Sequence, residues 1–205
     1  MNKDVIMRKI IIIVWLLALP TKALAGAFGA EWGWSYQQLK SAGAACEVQT
    51  VNNFDGYKCS KMPKSFSNAD FWFAIFDKKN GLQKITMMGT DITDDPYGTT
   101  GKKRYNGIKA AITKKYGPHS DEYSIETIGL KLYDESDEFY QCLNYSGCGY
   151  YSLLWDLEEN GTIGLKINGA SRGKGWISLA YEGPRWSDSL DRINNATEEE
   201  DLDAL

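Results

Sequence analysis

From residue 151 onward the apolar residues fall on alternate positions, and this alternation limits the fold more than any other feature. Tyr151, Leu153, Trp155 and Leu157 form one run. Ile163, Leu165 and Ile167 form a second beyond an Asn160-Gly161 turn, and Ile177, Leu179 and Tyr181 a third. Ile128, Leu130 and Leu132 alternate in the same way within an expected strand 123–133. Successive side chains of a strand point to opposite faces, so period two means antiparallel sheet with one face buried and the other wet. FWFAIFDKKNGLQKITMMG (71–89) adds strand, turn and strand about Asn80-Gly81, a strong hairpin signal.

Two segments read as helix. In WGWSYQQLKSAG (32–43), Ser35 is a natural N-cap, Gln38 completes a capping box and Gly43 supplies the stop. In KKRYNGIKAAITKKYG (102–117), Tyr105, Ile108, Ile112 and Tyr116 recur at helical spacing and face inward, while Lys109, Lys114 and Lys115 face out. DITDDPYGTTG (91–101) reads as loop. The fold class is α+β, with two helices packed on antiparallel sheet. FDKKNGLQKITMMG (76–89) and WDLEENGTIGLKINGA (155–170) share aromatic-Asp, a charged pair, Asn-Gly and a strand ending near glycine. With a helix and a cysteine pair in each half, they suggest a quasi-repeat of helix, disulfide and strands. The expected organisation is one domain over 26–187, with sub-modules 26–100 and 101–187.

The first 25 residues carry Lys3, Arg8 and Lys9, then the apolar run IIIIVWLLALP and the small-x-small site Ala23-Leu24-Ala25. This reads as a secretory signal peptide with a mature start near Gly26, and hence a periplasmic or secreted product. The remainder has 19 basic and 26 acidic residues. Seven of those acids fall in 188–205 beside one base, Arg192, so this end reads as a solvated, flexible acidic tail. Export also sets the meaning of Cys46, Cys59, Cys142 and Cys148. An even count in an oxidising compartment reads as disulfides. Of three pairings, the sequence-near pairs 46–59 and 142–148 are favoured because each closes a short loop between expected strands. Neither has the CxxC spacing of a zinc site.

The helix bearing Gly33, Ser35, Leu39 and Gly43, followed by a cysteine pair and aromatic strands ending in an Asn-Gly-Leu hairpin, is similar to one module of the β-lactamase-inhibitory-protein-like fold. That fold occurs in exported bacterial inhibitors and envelope assembly lipoproteins. The resemblance covers the first half and implies a binding module rather than a catalyst. It carries over no functional residue.

Catalytic machinery is hard to assemble from these residues. His119 is the only histidine and follows Gly117-Pro118 at a helix end, where it reads as structural. Asp134, Glu135, Asp137 and Glu138, or Asp91, Asp94 and Asp95, could supply a carboxylate pair for glycoside hydrolysis, and the second set a calcium site off the EF-hand spacing. Both clusters lie in expected turns, where acids face water. No catalytic residue, metal or cofactor is assigned. Two surfaces are candidates for partner binding. Lys102, Lys103, Arg104, Lys109, Lys114 and Lys115 gather positive charge on one helix, suited to an acidic protein or anionic envelope polymer rather than nucleic acid. Trp72 and Trp176 lie out of phase with their inward neighbours and point to an aromatic, exposed sheet face, and Tyr145 tips the 142–148 loop. The expected function is an exported, non-catalytic protein-binding module of inhibitor or immunity type. The alternatives are a carboxylate-dependent hydrolase of envelope glycan and a glycan-binding envelope maintenance protein.

Overall fold

The computed structural model describes residues 26–49 and 55–203. The expected signal peptide and the link 50–54 lie outside the described residues. In chain order the elements are helix α1 (Tyr36–Ser41), strands β1 (Ala45–Val48), β2 (Asp55–Lys61), β3 (Ala69–Asp77) and β4 (Gly81–Gly89), and helix α2 (Thr99–Tyr116). Strand β5 (Ser120–Thr127), helix α3 (Phe139–Asn144), strands β6 (Tyr150–Asp156), β7 (Thr162–Ser171) and β8 (Lys174–Glu182), and helix α4 (Trp186–Asp203) complete the order. The strands form one antiparallel eight-stranded sheet in the order β1-β2-β3-β4-β8-β7-β6-β5. It is two four-stranded meanders joined in the middle by β4 and β8. The architecture is α+β, as the alternation implies.

Register shows how the alternation builds the core. Directly opposed residues of antiparallel strands share a face. Tyr57, Ala74, Ile85, Tyr181, Ile163 and Trp155 therefore form one row across six strands. Cys59, Trp72, Met87, Leu179, Leu165 and Leu153 form the next. These rows are the inner face, joined in one apolar cluster by Leu39 of α1, Tyr105, Ile108 and Ile112 of α2, and Phe139 and Tyr140 of α3. The α1 capping box forms as its sequence predicts: the Gln38 N–H donates to Ser35 Oγ, and the Ser35 N–H to Gln38 Oε1. Such caps contribute about 1 kcal/mol.

Both disulfides form with the sequence-near pairing. Cys46–Cys59 joins opposed residues of β1 and β2, and Cys142–Cys148 closes the turn between α3 and β6. Two disulfides fit an oxidising environment. No helix among the described residues is long and apolar enough to cross a membrane.

Several expectations are corrected. Helix α2 starts at Thr99 inside the expected loop, because the buried Asp95 carboxylate accepts from the Gly101 N–H at 3.0 Å and serves a first-turn donor from outside the helix. The run 128–133 is not strand. Gly129 takes a left-handed φ of 75°, the chain turns there, and Leu130 and Leu132 are left 58% and 55% exposed. Cys142 lies on a helix, α3, rather than in a loop between strands. The segment expected as a solvated tail, 188–205, belongs through Asp203 to α4, and Ser189 within it is buried. The look-alike segments 76–89 and 155–170 do not fall on equivalent hairpins. The first is β3–β4, which the central β4–β8 pairing matches with β7–β8, whereas the second spans β6–β7.

Helix α3 sits flat on the β7–β8 end because that end has no side chains in its way. A Cβ on Gly169 would meet the Tyr140 carbonyl and the Asn144 nitrogen, and one on Gly175 the Tyr140 ring. Overpacked sites of this kind lose about 1–3 kcal/mol. Gly169→Ala is expected to lower stability by that amount, read as a reduced urea midpoint with an unchanged slope. A midpoint equal to the parent's would show that α3 is not seated by this contact.

Candidate functional site

The face opposite the core is the candidate site. Its rows follow from the same register. Lys58, Phe73, Thr86, Ala180, Gly164 and Leu154 form one row across six strands. Phe71, Met88, Ser178, Lys166, Ser152 and Ile125 form the next. Trp176 and Asn168 stand opposed beyond them. Every one of these residues is at least partly exposed. Small residues (Thr86, Ala180, Gly164, Ser178, Ser152) occupy the middle, and larger ones (Phe71, Phe73, Met88, Trp176) stand to one side. Phe71 and Phe73 meet edge to face at 5.2 Å, and the Lys58 ammonium lies 4.5 Å from the centre of the Phe71 ring. A Cβ built on Gly164 meets nothing within 4 Å, so the middle of this face opens onto free space.

Helix α4 covers one end. There the outer row runs Ile75, Lys84, Glu182 and Thr162, and Ile75 is buried. Lys84 Nζ pairs with Glu182 Oε1 at 2.7 Å and lies 4.7 Å from the centre of the Trp186 ring, while Thr162 donates to Glu182 Oε2 at 2.9 Å. The second anchor is Arg192, whose Nη2 is 2.8 Å from Asp77 Oδ1. Burial alone would raise the Asp77 carboxyl. The hydrogen bonds from Arg192 and from the Asn80 and Lys79 N–H groups outweigh it and hold the group below its ordinary 3.8.

The other anticipated residues are scattered. Trp72 is core, 5% exposed on the inner face and edge-on to Phe28 at 5.9 Å, so it cannot contact a partner. Trp176 does lie on the outer face. Tyr145 is exposed and packs against Tyr133 at 5.8 Å, away from the sheet rows. The basic set divides. Lys109 pairs with Glu126 at 3.0 Å, Lys102 lies over the Phe139 ring and Lys115 over the Tyr116 ring, Arg104 donates to Thr90 Oγ1, and Lys103 and Lys114 are exposed. Phe71, Phe73 and Met88 were missed. The run FWFAIF is apolar at both phases and hides which residues face out.

The acidic sets do not converge. Asp95 is buried and accepts from Tyr140 Oη at 2.9 Å, which makes it a structural partner rather than a calcium ligand with Asp91 and Asp94. Asp137 pairs with Arg172, and Glu138 accepts from the Glu135 N–H. Among the described residues no group of three or more His, Cys, Asp or Glu is placed to hold a metal. His119 packs on Trp155 at 5.8 Å. A separate cleft of about 500 Å3 is lined by Trp32, Tyr116, Tyr181, Asp156, Glu158 and Asn160. Burial, then the neighbouring Tyr116, raise the Tyr181 hydroxyl and keep it a neutral donor. No family model, curated protein or solved structure matches this chain.

A depressed carboxyl stabilises above its unfolded value and loses that contribution as pH falls through its folded value. The Asp77–Arg192 contribution to seating α4 is therefore fully present above pH 3.8 and is lost as the pH falls through the lower folded value. Asp77→Asn should remove the acid-dependent step in Trp186 fluorescence while the far-ultraviolet signal of the sheet persists. An acid transition of equal size in the variant would assign the step to another group.

Proposed function

We propose that this chain is an exported, non-catalytic binding protein whose contact surface is the uncovered sheet face. One observation carries the reading: the sheet is covered by α1, α2 and α3 on one side, while the other side leaves Phe71, Phe73, Met88 and Trp176 half-exposed beside an open centre at Gly164. Exposed apolar patches of this kind mark interaction sites. Aromatic anchors beside small residues give a partner both grip and close approach. Lys58 and Lys166 on the same face favour a partner with acidic residues near its apolar contacts. The two disulfides support export. The inhibitor or immunity type remains the reading of choice, and the first-half likeness to the β-lactamase-inhibitory-protein-like fold points the same way. The cleft lined by Trp32, Tyr116 and Tyr181 favours a second reading, glycan binding, since sugars stack on aromatic rings and bond to carboxylates and amides. Binding on a glycan array that is lost in Trp32→Ala would establish that reading.

The face is tested by Gly164→Glu. The new side chain enters open space and leaves the inner rows untouched, so the fold holds. Affinity capture from periplasmic extract should return an acidic protein partner with the parent chain and lose it with Gly164→Glu and Phe73→Ala. Equal capture by the parent and both variants would rule the face out.

A further inference from the structure

A groove of about 690 Å3 runs along α2, closed on its far side by Phe66 and Asn68. Gly107, Ile108 and Ala111 make an apolar floor, Lys103 and Arg104 lie one turn before it, and Thr99 and Thr100 one turn further still. That volume is within the range of small-molecule sites. Its lining holds two cations and no acid. Lys103 has no ion pair among the described residues, and Arg104 donates to the Thr90 hydroxyl at 3.3 Å. The thirteen residues from Thr99 to Ala111 span about 18 Å of helix.

The two glycines of α2 show that the groove is not an accident of packing. Glycine inside a helix is destabilising relative to alanine. Gly101 is buried, and a Cβ there would run into the Tyr140 hydroxyl, so packing within the chain requires it. A Cβ on Gly107 meets nothing within 4 Å. The chain's own packing does not require Gly107, and what its missing side chain provides is depth in the groove.

We propose that this groove binds a single-chain amphiphilic anion, an acyl carboxylate or alkyl phosphate, with its head between Lys103 and Arg104 and its chain over Gly107 and Ala111. The charge sign follows from a lining with cations alone, and the apolar body from the floor. The groove lies on the helix layer and the uncovered face on the other side of the sheet, so the two proposals stand or fall separately.

The test is calorimetric titration of the full mature chain with decanoate and decyl phosphate below their micellar concentrations, with decanol and acetate as controls. Both anions should bind, decanol and acetate at least about tenfold more weakly, and affinity should fall with added salt. Gly107→Leu should abolish binding while preserving or raising thermal stability, since leucine is the better helix former. Lys103→Gln with Arg104→Gln should weaken the anions about tenfold or more and remove the salt dependence, and Gly164→Glu should bind as the parent does. Decanol binding as tightly as decanoate, unchanged binding in Gly107→Leu, or binding lost in Gly164→Glu would each overturn the assignment. So would binding of a synthetic peptide of alternating leucine and glutamate with no binding of either anion, which would give the groove to a protein partner.

Discussion

The pairing of β4 with β8 holds the molecule together. Five opposed pairs, from Lys84–Glu182 to Met88–Ser178, are the seam between the two meanders. The partners are 98 residues apart where Lys84 meets Glu182, so the seam closes the longest loop in the sheet and forms only if the gain exceeds that closure cost. The inner rows supply the gain. Ile85 against Tyr181 and Met87 against Leu179 make one continuous apolar surface out of two narrow ones, wide enough for α1, α2 and α3 to share. The outer side of the same seam seats α4, because the Lys84 that pairs with Glu182 also lies beside the Trp186 ring.

Covering one side only has consequences for the other. A sheet with exposed hydrogen-bonding edges invites pairing with other chains, and proteins blunt such edges by shortness, irregularity and charge. Both edges here are blunted. β1 has four residues and is tied to β2 by Cys46–Cys59. β5 pairs irregularly with β6 between Ser120 and Ile125, and carries Asp121, Glu122 and Glu126. Edge pairing is discouraged at both ends while the broad outer face is left open, so the face is the surface the fold keeps available.

How far the sequence could be read depended on whether a signal was local. The Ser35–Gln38 cap, the two Asn-Gly hairpins, the near cysteine pairs and the inward side of α2 are each decided within a few residues, and each was legible. The misreadings share the opposite property. Leu130 and Leu132 alternate like a strand, but the left-handed Gly129 turns the chain toward the disulfide loop. Helix α3 exists where it does because Gly169 and Gly175, well after it in sequence, leave room for Tyr140. The acidic composition of 188–205 spoke for a solvated tail, yet its one base, Arg192, finds Asp77 far back in the chain. Trp72 and Trp176 illustrate the limit for the candidate site. Trp72 lies between Phe71 and Phe73 and Trp176 between Gly175 and Ile177, and only the register with β2, β4 and β7 shows that one faces in and the other out.

Glycines distinguish which surfaces this chain uses for itself. At Gly101, Gly169 and Gly175 the space of the missing side chain is filled by Tyr140 or its backbone, so the conformational cost of glycine is offset within the molecule. Gly43 and Gly117 have empty surroundings, but their left-handed φ angles of 103° and 92° account for them at the ends of α1 and α2. Gly107 and Gly164 have neither explanation. Both lie inside regular elements, with ordinary φ and nothing within 4 Å of a built Cβ. One lies in the floor of the α2 groove and the other in the middle of the outer face. An internal glycine that neither packing nor backbone conformation requires weakens its element without return, unless what matters is the space above it. Two such positions, on opposite layers, are the observations on which the two proposed contact surfaces rest.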